Sequence, residues 1–455
     1  MRRINSAIHL VTESAGGALW PLHSNAMSEL SRYCKIYRLK EDRNILFSTK
    51  NAAAIVLKDS VLEDVLQGYV SLDIHTALER LGFMVHSKEQ ESAAMKDYMK
   101  GCDELSNKLS LIVVLNLSCN LACPYCFESA VKGPHFMSEE TENDLVNFVA
   151  GKIVDNKKEI SVTFYGGEPL LSIDAITRIS GRLNDVASNK ELHYSFNLVT
   201  NGTLLSSRVV QRLKPLGLVG AKVTLDGPRS NHNASRPFRS GEGSFDIILE
   251  NIKQVCRDIS IQIGGNYARS NYVEFPKLLD YLVEEGLTPD IIKSVKFDPV
   301  TAANKSFALK DCAEWCMSNN EQWVIEASLL LREAIMKRGF KTQFIKPSLC
   351  VIESGNFFVV NYNGDIYKCP GFIGNEDFKT GTLKEGFSKY NDIYSLDNWK
   401  NEECLSCCYL PLCFGGCRYM RFIAKGDVAG VDCRKDYYDA SLRAFVLQDI
   451  EFRHR

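Results

Sequence analysis

The stretch Leu111-Ile112-Val113-Val114-Leu115-Asn116-Leu117-Ser118-Cys119-Asn120-Leu121-Ala122-Cys123-Pro124-Tyr125-Cys126 joins an apolar run to three cysteines separated by three and then two residues. The run 111–117 reads as a strand buried on both faces. The cysteines then lie in a short loop at that strand's C-terminal end. Thiolates are the usual iron–sulfur ligands, and a cubane takes four. Three local ligands leave one iron able to hold a small molecule. The rival is zinc, but structural zinc takes four closed ligands, and no fourth Cys or His is near in the sequence.

Downstream, strands and helices alternate. Ser138 precedes a helix with apolar positions Leu145, Val146, Phe148, Val149 and Ile153. Strands at 160–165, 193–199, 219–225, 259–265 and 292–297 follow, with helices at 173–186, 206–214, 245–256 and 274–285 between them. This alternation predicts an α/β fold, a partial (β/α)6 TIM-like barrel over residues 109–300. Chemistry in such barrels sits at the C-terminal ends of the strands. Residues 1–100 read as a small N-terminal α+β domain. Strands at 34–39 and 44–49 form a hairpin across a charged turn, helical patterns follow at 61–65 and 74–81, and the polar stretch 86–108 reads as a linker. Residues 301–345 form a helical linker, with one helix over 311–338 stopped by Gly339. Residues 346–455 form a cysteine-rich iron–sulfur domain. In it, Asn363-Gly364 between 357–362 and 365–368 signals a hairpin, and 435–452 reads as one helix.

Sixteen cysteines in 455 residues are many for a chain with ordinary soluble composition, 45% hydrophobic and 24% charged. The net charge of −2 gives no sign of a nucleic-acid binder. No run near the first motif is long enough for a membrane, and the N-terminus lacks the apolar stretch of a secretion signal. The reading is cytoplasmic, where disulfides are disfavoured. Beyond the first three cysteines, Cys350, Cys369, Cys404, Cys407, Cys413, Cys417 and Cys433 form a second group, too many for one zinc. Seven thiolates serve one full cubane and one with three protein ligands. Cys34, Cys102, Cys256, Cys312, Cys316 and Cys408 are left over and read as packing residues. Cys312 and Cys316 are four apart on the 311–338 helix.

The first motif resembles the signature of the radical S-adenosylmethionine superfamily. In that family the fourth iron chelates S-adenosylmethionine, and one electron splits the sulfonium to give a 5′-deoxyadenosyl radical that takes hydrogen from the substrate. By the same resemblance Tyr125 neighbours the adenine. Gly166-Gly167-Glu168-Pro169 corresponds to the element that binds the methionyl amino group. Asn201 in Thr200-Asn201-Gly202 and Thr224 in Thr224-Leu225-Asp226-Gly227 belong to the cofactor rim, and Arg236 touches the cofactor carboxylate. Asn233 departs from the family pattern and carries no role. The second group resembles the seven-cysteine SPASM domain of maturases. That resemblance implies Cys350, Cys369 and Cys417 for a first auxiliary cluster and Cys404, Cys407, Cys413 and Cys433 for a second, three [4Fe-4S] clusters in all. Cys408 has no matched role and is a candidate to close the first auxiliary site.

SPASM-bearing members mostly modify peptides or proteins. The expected function is therefore a peptide maturase that abstracts hydrogen and forms a cross-link, a cysteine thioether. The 1–100 unit resembles a leader-peptide recognition domain, whose edge strand would pair with the leader. A flavodoxin or ferredoxin would supply low-potential electrons; no nucleic acid or membrane partner is expected. No catalytic base is identified. The first alternative is an anaerobic sulfatase-type maturase that makes formylglycine. That family places an Asp beside an auxiliary ligand, whereas Pro370 follows Cys369 here. Two other classes remain: a non-catalytic iron–sulfur electron carrier, and a zinc-binding interaction module.

Overall fold

The computed structural model describes residues 9–10, 28–104, 108–153, 159–301, 314–387 and 390–452. The first strands are β1 (His9–Leu10), β2 (Glu29–Leu30), β3 (Cys34–Arg38), β4 (Arg43–Ser48) and β5 (Ala54–Lys58). Helices α1 (Asp59–Gln67) and α2 (Leu72–Arg80), strand β6 (Met84–Val85) and helix α3 (Lys88–Glu104) follow. The expected hairpin is β3–β4, antiparallel from Cys34↔Ser48 to Arg38↔Asn44. Glu41 and Asp42 turn it with positive φ. The sheet order is β1-β5-β4-β3, so β3 is an edge.

The expected linker at 86–108 is instead mostly the 17-residue helix α3. Its surface is polar, but Met95 and Met99 are buried with Tyr33 against Trp399, Leu410 and Phe414. Glu91 is buried too, accepting from the Ser31 hydroxyl at 2.7 Å and from the Arg32 backbone N–H at 3.0 Å. The partners that make this helix worthwhile lie three hundred residues away, out of reach of any local pattern.

The barrel strands are β7 (Lys108–Val114), β8 (Glu159–Tyr165), β9 (His193–Thr200), β10 (Leu218–Thr224), β11 (Ser260–Tyr267) and β12 (Ile292–Pro299). They pair in parallel in that order. Helices α4 (Glu139–Lys152), α5 (Ile173–Ser188), α6 (Ser207–Leu213), α7 (Arg229–Ser235), α8 (Phe245–Val255), α9 (Phe275–Glu284) and α10 (Gln322–Lys337) accompany them. Ser138 caps α4, its hydroxyl accepting from the Thr141 N–H at 3.1 Å. Strand β7 is buried on both faces toward its C-terminal end, where Val114 is fully buried in a second core with Ile112 packed against it. Leu109, Leu111 and Val113 are buried in the main core, while Ser110 and Ile112, on the other face, are only half-buried. Only toward its start, at Ser110, is the inner face polar and half-exposed.

Helix α10 starts at Gln322, not near 311. The Glu321 carboxylate accepts the N–H groups of Met317 and Ser318 at 2.7 and 2.8 Å, holding the chain in a turn. Cys316 lies before the helix, bridged to Thr301, so it is not on a helical face; Cys312 lies outside the described residues. The helix does end at Gly339, with φ +80.

The C-terminal part comprises β13 (Phe357–Val360), β14 (Asp365–Tyr367), β15 (Gly381–Thr382), β16 (Gly386–Phe387), α11 (Glu402–Ser406), α12 (Leu410–Cys413), α13 (Arg418–Lys425) and α14 (Lys435–Phe452). The Asn363-Gly364 turn joins β13 and β14, with Gly364 at φ +88. Strand β13 pairs in parallel with β7, giving a ten-stranded open sheet, β12-β11-β10-β9-β8-β7-β13-β14-β15-β16. The cysteine-rich part is thus built onto the barrel's own first strand. On its other side, Ile45, Phe47 and Ala54 share a core with Tyr409, Leu412, Tyr438, Leu442 and Val446. Among the described residues, no helix is long and apolar enough to cross a membrane.

Candidate functional site

The loop that carries Cys119, Cys123 and Cys126 lies directly beyond β7. Its first half is tied to neighbouring segments. Ala122 N–H donates to the Pro237 carbonyl at 2.8 Å, and Asn120 Nδ2 donates to Thr203 Oγ1 at 2.8 Å. Asn201 Nδ2 lies 3.7 Å from the Cys119 sulfur. Burial pushes the Cys119 and Cys123 thiols up, while the charges of Arg236 and Lys132 favour their thiolates.

The Gly-Gly pair has a reason visible only in three dimensions. Gly167 N–H donates to the Asn116 carbonyl at 3.0 Å, and Glu168 N–H to the Ser118 carbonyl at 2.8 Å. A Cβ at Gly166 would lie 2.4 Å from the Asn116 oxygen, and one at Gly167 2.2 Å from the Ser118 oxygen. The glycines let the end of β8 lie against the backbone leading into Cys119. Glu168 is fully buried, and both its oxygens are engaged: Oε1 accepts from Leu170 N–H at 3.0 Å and Thr200 Oγ1 at 2.8 Å, Oε2 from Asn201 N–H at 2.8 Å. Burial pushes its carboxyl up, and these donors oppose that. It braces the end of β8 to the end of β9. Pro169 is buried at the start of a short 3₁₀ turn, and Thr224 ends β10 half-buried.

Tyr125 and Arg236 converge. Arg236 Nη1 donates to the Tyr125 hydroxyl at 2.6 Å, and that hydroxyl donates to Asp226 Oδ2. Arg236 and Asp226 are 3.7 Å apart, and the Arg236 Nε is buried without a partner.

The second cysteine group separates in space into two sets. Cys350, Cys369 and Cys417 feel one another's charge, and burial pushes Cys350 and Cys369 up. A buried Arg418–Glu353 ion pair joins the segments that follow Cys417 and Cys350. Cys404, Cys407, Cys413 and Cys433 line a cavity of about 310 Å³. Cys408 lines this cavity too; its S–H bonds to Cys407, favouring the thiolate at Cys407 and the thiol at Cys408. The extra thiol therefore sits with the second set and not with Cys350, Cys369 and Cys417. Asp432 couples the sets: its carboxylate accepts the Cys417 N–H at 3.1 Å, and Cys433 follows it in sequence. Among the described residues no three Cys, His, Asp or Glu side chains converge on a single metal ion. A zinc site would draw its sulfurs to about 2.3 Å from one point.

Residues 113–265 match the family described as the radical SAM superfamily. They form a radical SAM domain.

The chain around that domain resembles maturases of the SPASM-bearing type. It is 24% identical over 380 residues to the radical SAM cyclopropyl synthase TigE of Paramaledivibacter caminithermalis, covering 76% of each chain. The solved structure of the anaerobic sulfatase-maturating enzyme anSMEcpe with bound AdoMet and Kp18Cys peptide superposes with a TM-score of 0.61 at 20% identity, over 76% of this chain and 97% of that one. Streptococcus suis SuiB bound to its precursor peptide SuiA gives a TM-score of 0.51 at 17% identity, over 90% and 99%. A radical SAM domain implies a [4Fe-4S] cluster and S-adenosylmethionine. The thiol triplet and the unpartnered Arg236 Nε fit that pair.

Sequence reasoning missed several residues around the radical SAM site. Asp226 and Asn266 are tied together, Asn266 N–H donating to Asp226 Oδ1 at 2.7 Å. Glu128, two residues past Cys126, is 4% exposed with an unpartnered Oε1, and burial pushes its carboxyl up to about 7. Asn233, which carried no role, accepts the Phe245 N–H at 3.0 Å at the start of α8.

His232 supports the rim from beneath. Its Nδ1 accepts the Asp226 N–H at 3.1 Å and its Nε2 meets Ser244 Oγ at 3.0 Å, so the neutral ring carries its proton on Nε2. Burial, helped by Arg236, depresses its pKa to about 3. The unfolded chain, with a His pKa of about 6.5, binds the extra proton between those values. The His232 contribution is thus complete above about pH 6.5 and is lost as pH falls toward 3, by about 1.4 kcal/mol per pH unit. Urea unfolding of the iron-free protein at pH 7 and 4.5 is expected to show this slope, and His232→Gln to flatten it. An unchanged slope in the variant would refute the assignment.

Proposed function

We propose that this radical SAM protein is a peptide maturase that forms a cysteine thioether. The observation that carries this reading is the separation of the thiols into one set of three beside the barrel rim, a second around the strands that extend the same sheet, and a third around α11 and α12. Cys119, Cys123 and Cys126 would hold the S-adenosylmethionine-binding [4Fe-4S] cluster. Cys350, Cys369 and Cys417 would hold a first auxiliary cluster with one open iron, and Cys404, Cys407, Cys413 and Cys433 a second. Bound S-adenosylmethionine, given one electron, supplies the adenosyl carbon that takes a hydrogen atom from the substrate.

The chain's own residues would do the rest. Gly166, Gly167, Glu168 and Pro169, with Asn201 and Thr224, shape the rim that receives the cofactor. Arg236, with its spare Nε, would hold the cofactor carboxylate. The loop after Cys369 packs onto the loop after Cys126, since a Cβ at Gly374 would lie 2.7 Å from Val131 Cγ1. A substrate cysteine held at the first auxiliary set would therefore stand close to a carbon presented at the rim, and positioning would steer the bond. A flavodoxin or ferredoxin would supply electrons, and the edge strand β3 would grip a leader peptide. Arg443 donates to the Arg38 carbonyl at 3.2 Å, so α14 already borders that edge.

The test uses anaerobically reconstituted protein and a cysteine-containing peptide sought among the reading frames that neighbour its gene. About twelve irons per chain are expected from three cubanes. The product should lose two hydrogens per link and resist thiol alkylation. An aldehyde product trapped by a hydrazide would overturn the thioether reading in favour of formylglycine chemistry. About four irons would overturn the auxiliary assignment.

A further inference from the structure

The rear half of the first cysteine loop packs on the barrel through Phe127, stacked on Tyr165, and Val131, but makes few hydrogen bonds to it. From Cys123 to Lys132, the hydrogen bonds of the backbone run within the loop: Cys126 N–H to the Cys123 carbonyl, Ser129 to Cys126, and Val131 and Lys132 to Glu128. The exception is a side chain, the Tyr125 hydroxyl, between two of the three cysteines. It gathers three partners from three different places. Asp226, just past the end of β10, accepts its proton; Arg236, just past α7, donates to it at 2.6 Å; Asn266 Nδ2, on β11, lies 3.4 Å away. These partners are themselves fixed. Asp226 is fully buried and accepts the Asn266 N–H at 2.7 Å, while the Arg236 carbonyl accepts from Ser244 Oγ at 2.6 Å. A phenol is suited to this point because it donates to the carboxylate and accepts from the guanidinium through one oxygen on a rigid ring.

We propose that the Tyr125 hydroxyl is the latch that fixes Cys123 and Cys126, and so the iron–sulfur cluster they hold, against the ends of β10 and β11. The role is positional and distinct from any contact of the ring face with adenine. It rests on the reading of Cys119, Cys123 and Cys126 as cluster ligands. Without the hydroxyl the three thiols remain and Phe127 and Val131 still pack, but no hydrogen bond fixes the loop's position against the ends of β10 and β11. A misplacement of about 1 Å at a reacting centre costs on the order of a hundredfold.

Tyr125→Phe keeps the ring and removes the latch. It is expected to weaken S-adenosylmethionine binding by about tenfold, as loss of one charge-assisted hydrogen bond implies. The change that added S-adenosylmethionine produces in the electron paramagnetic resonance spectrum of the reduced cluster should shrink or broaden. Reduced iron at the first site, in a variant whose iron-free form unfolds like wild type, also supports the latch, since all three thiols are present. Wild-type iron content, cofactor affinity and spectrum together would overturn it. Asp226→Asn provides a cycle: the double variant should be little worse than the poorer single variant, and additive losses would also overturn the coupling. If wild type itself shows no spectral response to S-adenosylmethionine, the ligand reading fails and the latch falls with it; a responsive wild type and an identical Tyr125→Phe reject the latch alone.

Discussion

Replacing Cys126 by alanine is expected to reduce 5′-deoxyadenosine formation from dithionite and S-adenosylmethionine to that of a protein-free control. The loop offers three thiols within eight residues. Asn201 Nδ2, the side-chain donor at Cys119, is no ligand for iron, and Lys132 is a cation. Two thiolates do not hold a cubane with one open iron. The auxiliary thiols cannot compensate, because they are fixed elsewhere: Cys417 by the Asp432 carboxylate at 3.1 Å, Cys413 at the end of α12. A matched Cys413→Ala variant sharpens the comparison. It should retain cofactor cleavage while losing about four irons and completed product. Cleavage surviving in Cys126→Ala would remove the basis of the functional assignment, and liquid chromatography of the nucleoside products suffices to decide it.

The second large effect is expected from Ile45→Asp, far from any proposed ligand. Ile45 is fully buried on β4, in the core it shares with α12 and α14. An unpaired carboxylate there would cost several kcal/mol, enough to separate the N-terminal sheet from its seat. That seat is the wall of the second thiol set. Thr49 Oγ1 donates to the Cys408 carbonyl at 2.6 Å, and Ser92 Oγ to the Leu405 carbonyl at 3.3 Å. Ile45→Asp should therefore lower iron by about four per chain on brief exposure to air, from about twelve to about eight, while cofactor cleavage persists. Iron and nucleoside assays on one sample read both. Full iron retention would show that the N-terminal unit does not shelter that set. Deleting residues 1–100 would be a poorer probe of leader binding for the same reason, since it uncovers Tyr409, Leu412 and Trp399 together.

Much of this was legible in one dimension because its causes are local. Strand and helix alternation over 109–300 follows from apolar period and crossover length. Asn363-Gly364 dictates its own turn, Ser138 its own cap, and Gly339 its own stop. The first three cysteines are close enough in the chain for their spacing to mark them as one group, whereas the sorting of the other seven is what the SPASM resemblance implies, since Cys417 lies between Cys413 and Cys433 in the sequence.

The tertiary structure alone decided what depends on distant partners. Helix α3 looks like a linker until Trp399 and Phe414 cover Met95 and Met99. The start of α10 is set by the Glu321 carboxylate turning the preceding segment. The barrel sheet grows past β7 because that strand has a free edge, and no local pattern says that β13 takes it. Glu168 is named in sequence for the cofactor element, and the fold adds that its oxygens brace the ends of β8 and β9. Asp226 and Asn266 are forty residues apart and meet only because β10 and β11 lie in register. Spacing along the chain therefore grouped Cys119, Cys123 and Cys126, and the fold showed Cys404, Cys407, Cys413 and Cys433 lining one cavity. How firmly they are held depends on buried hydrogen bonds between strand ends, and only folding brings those ends together.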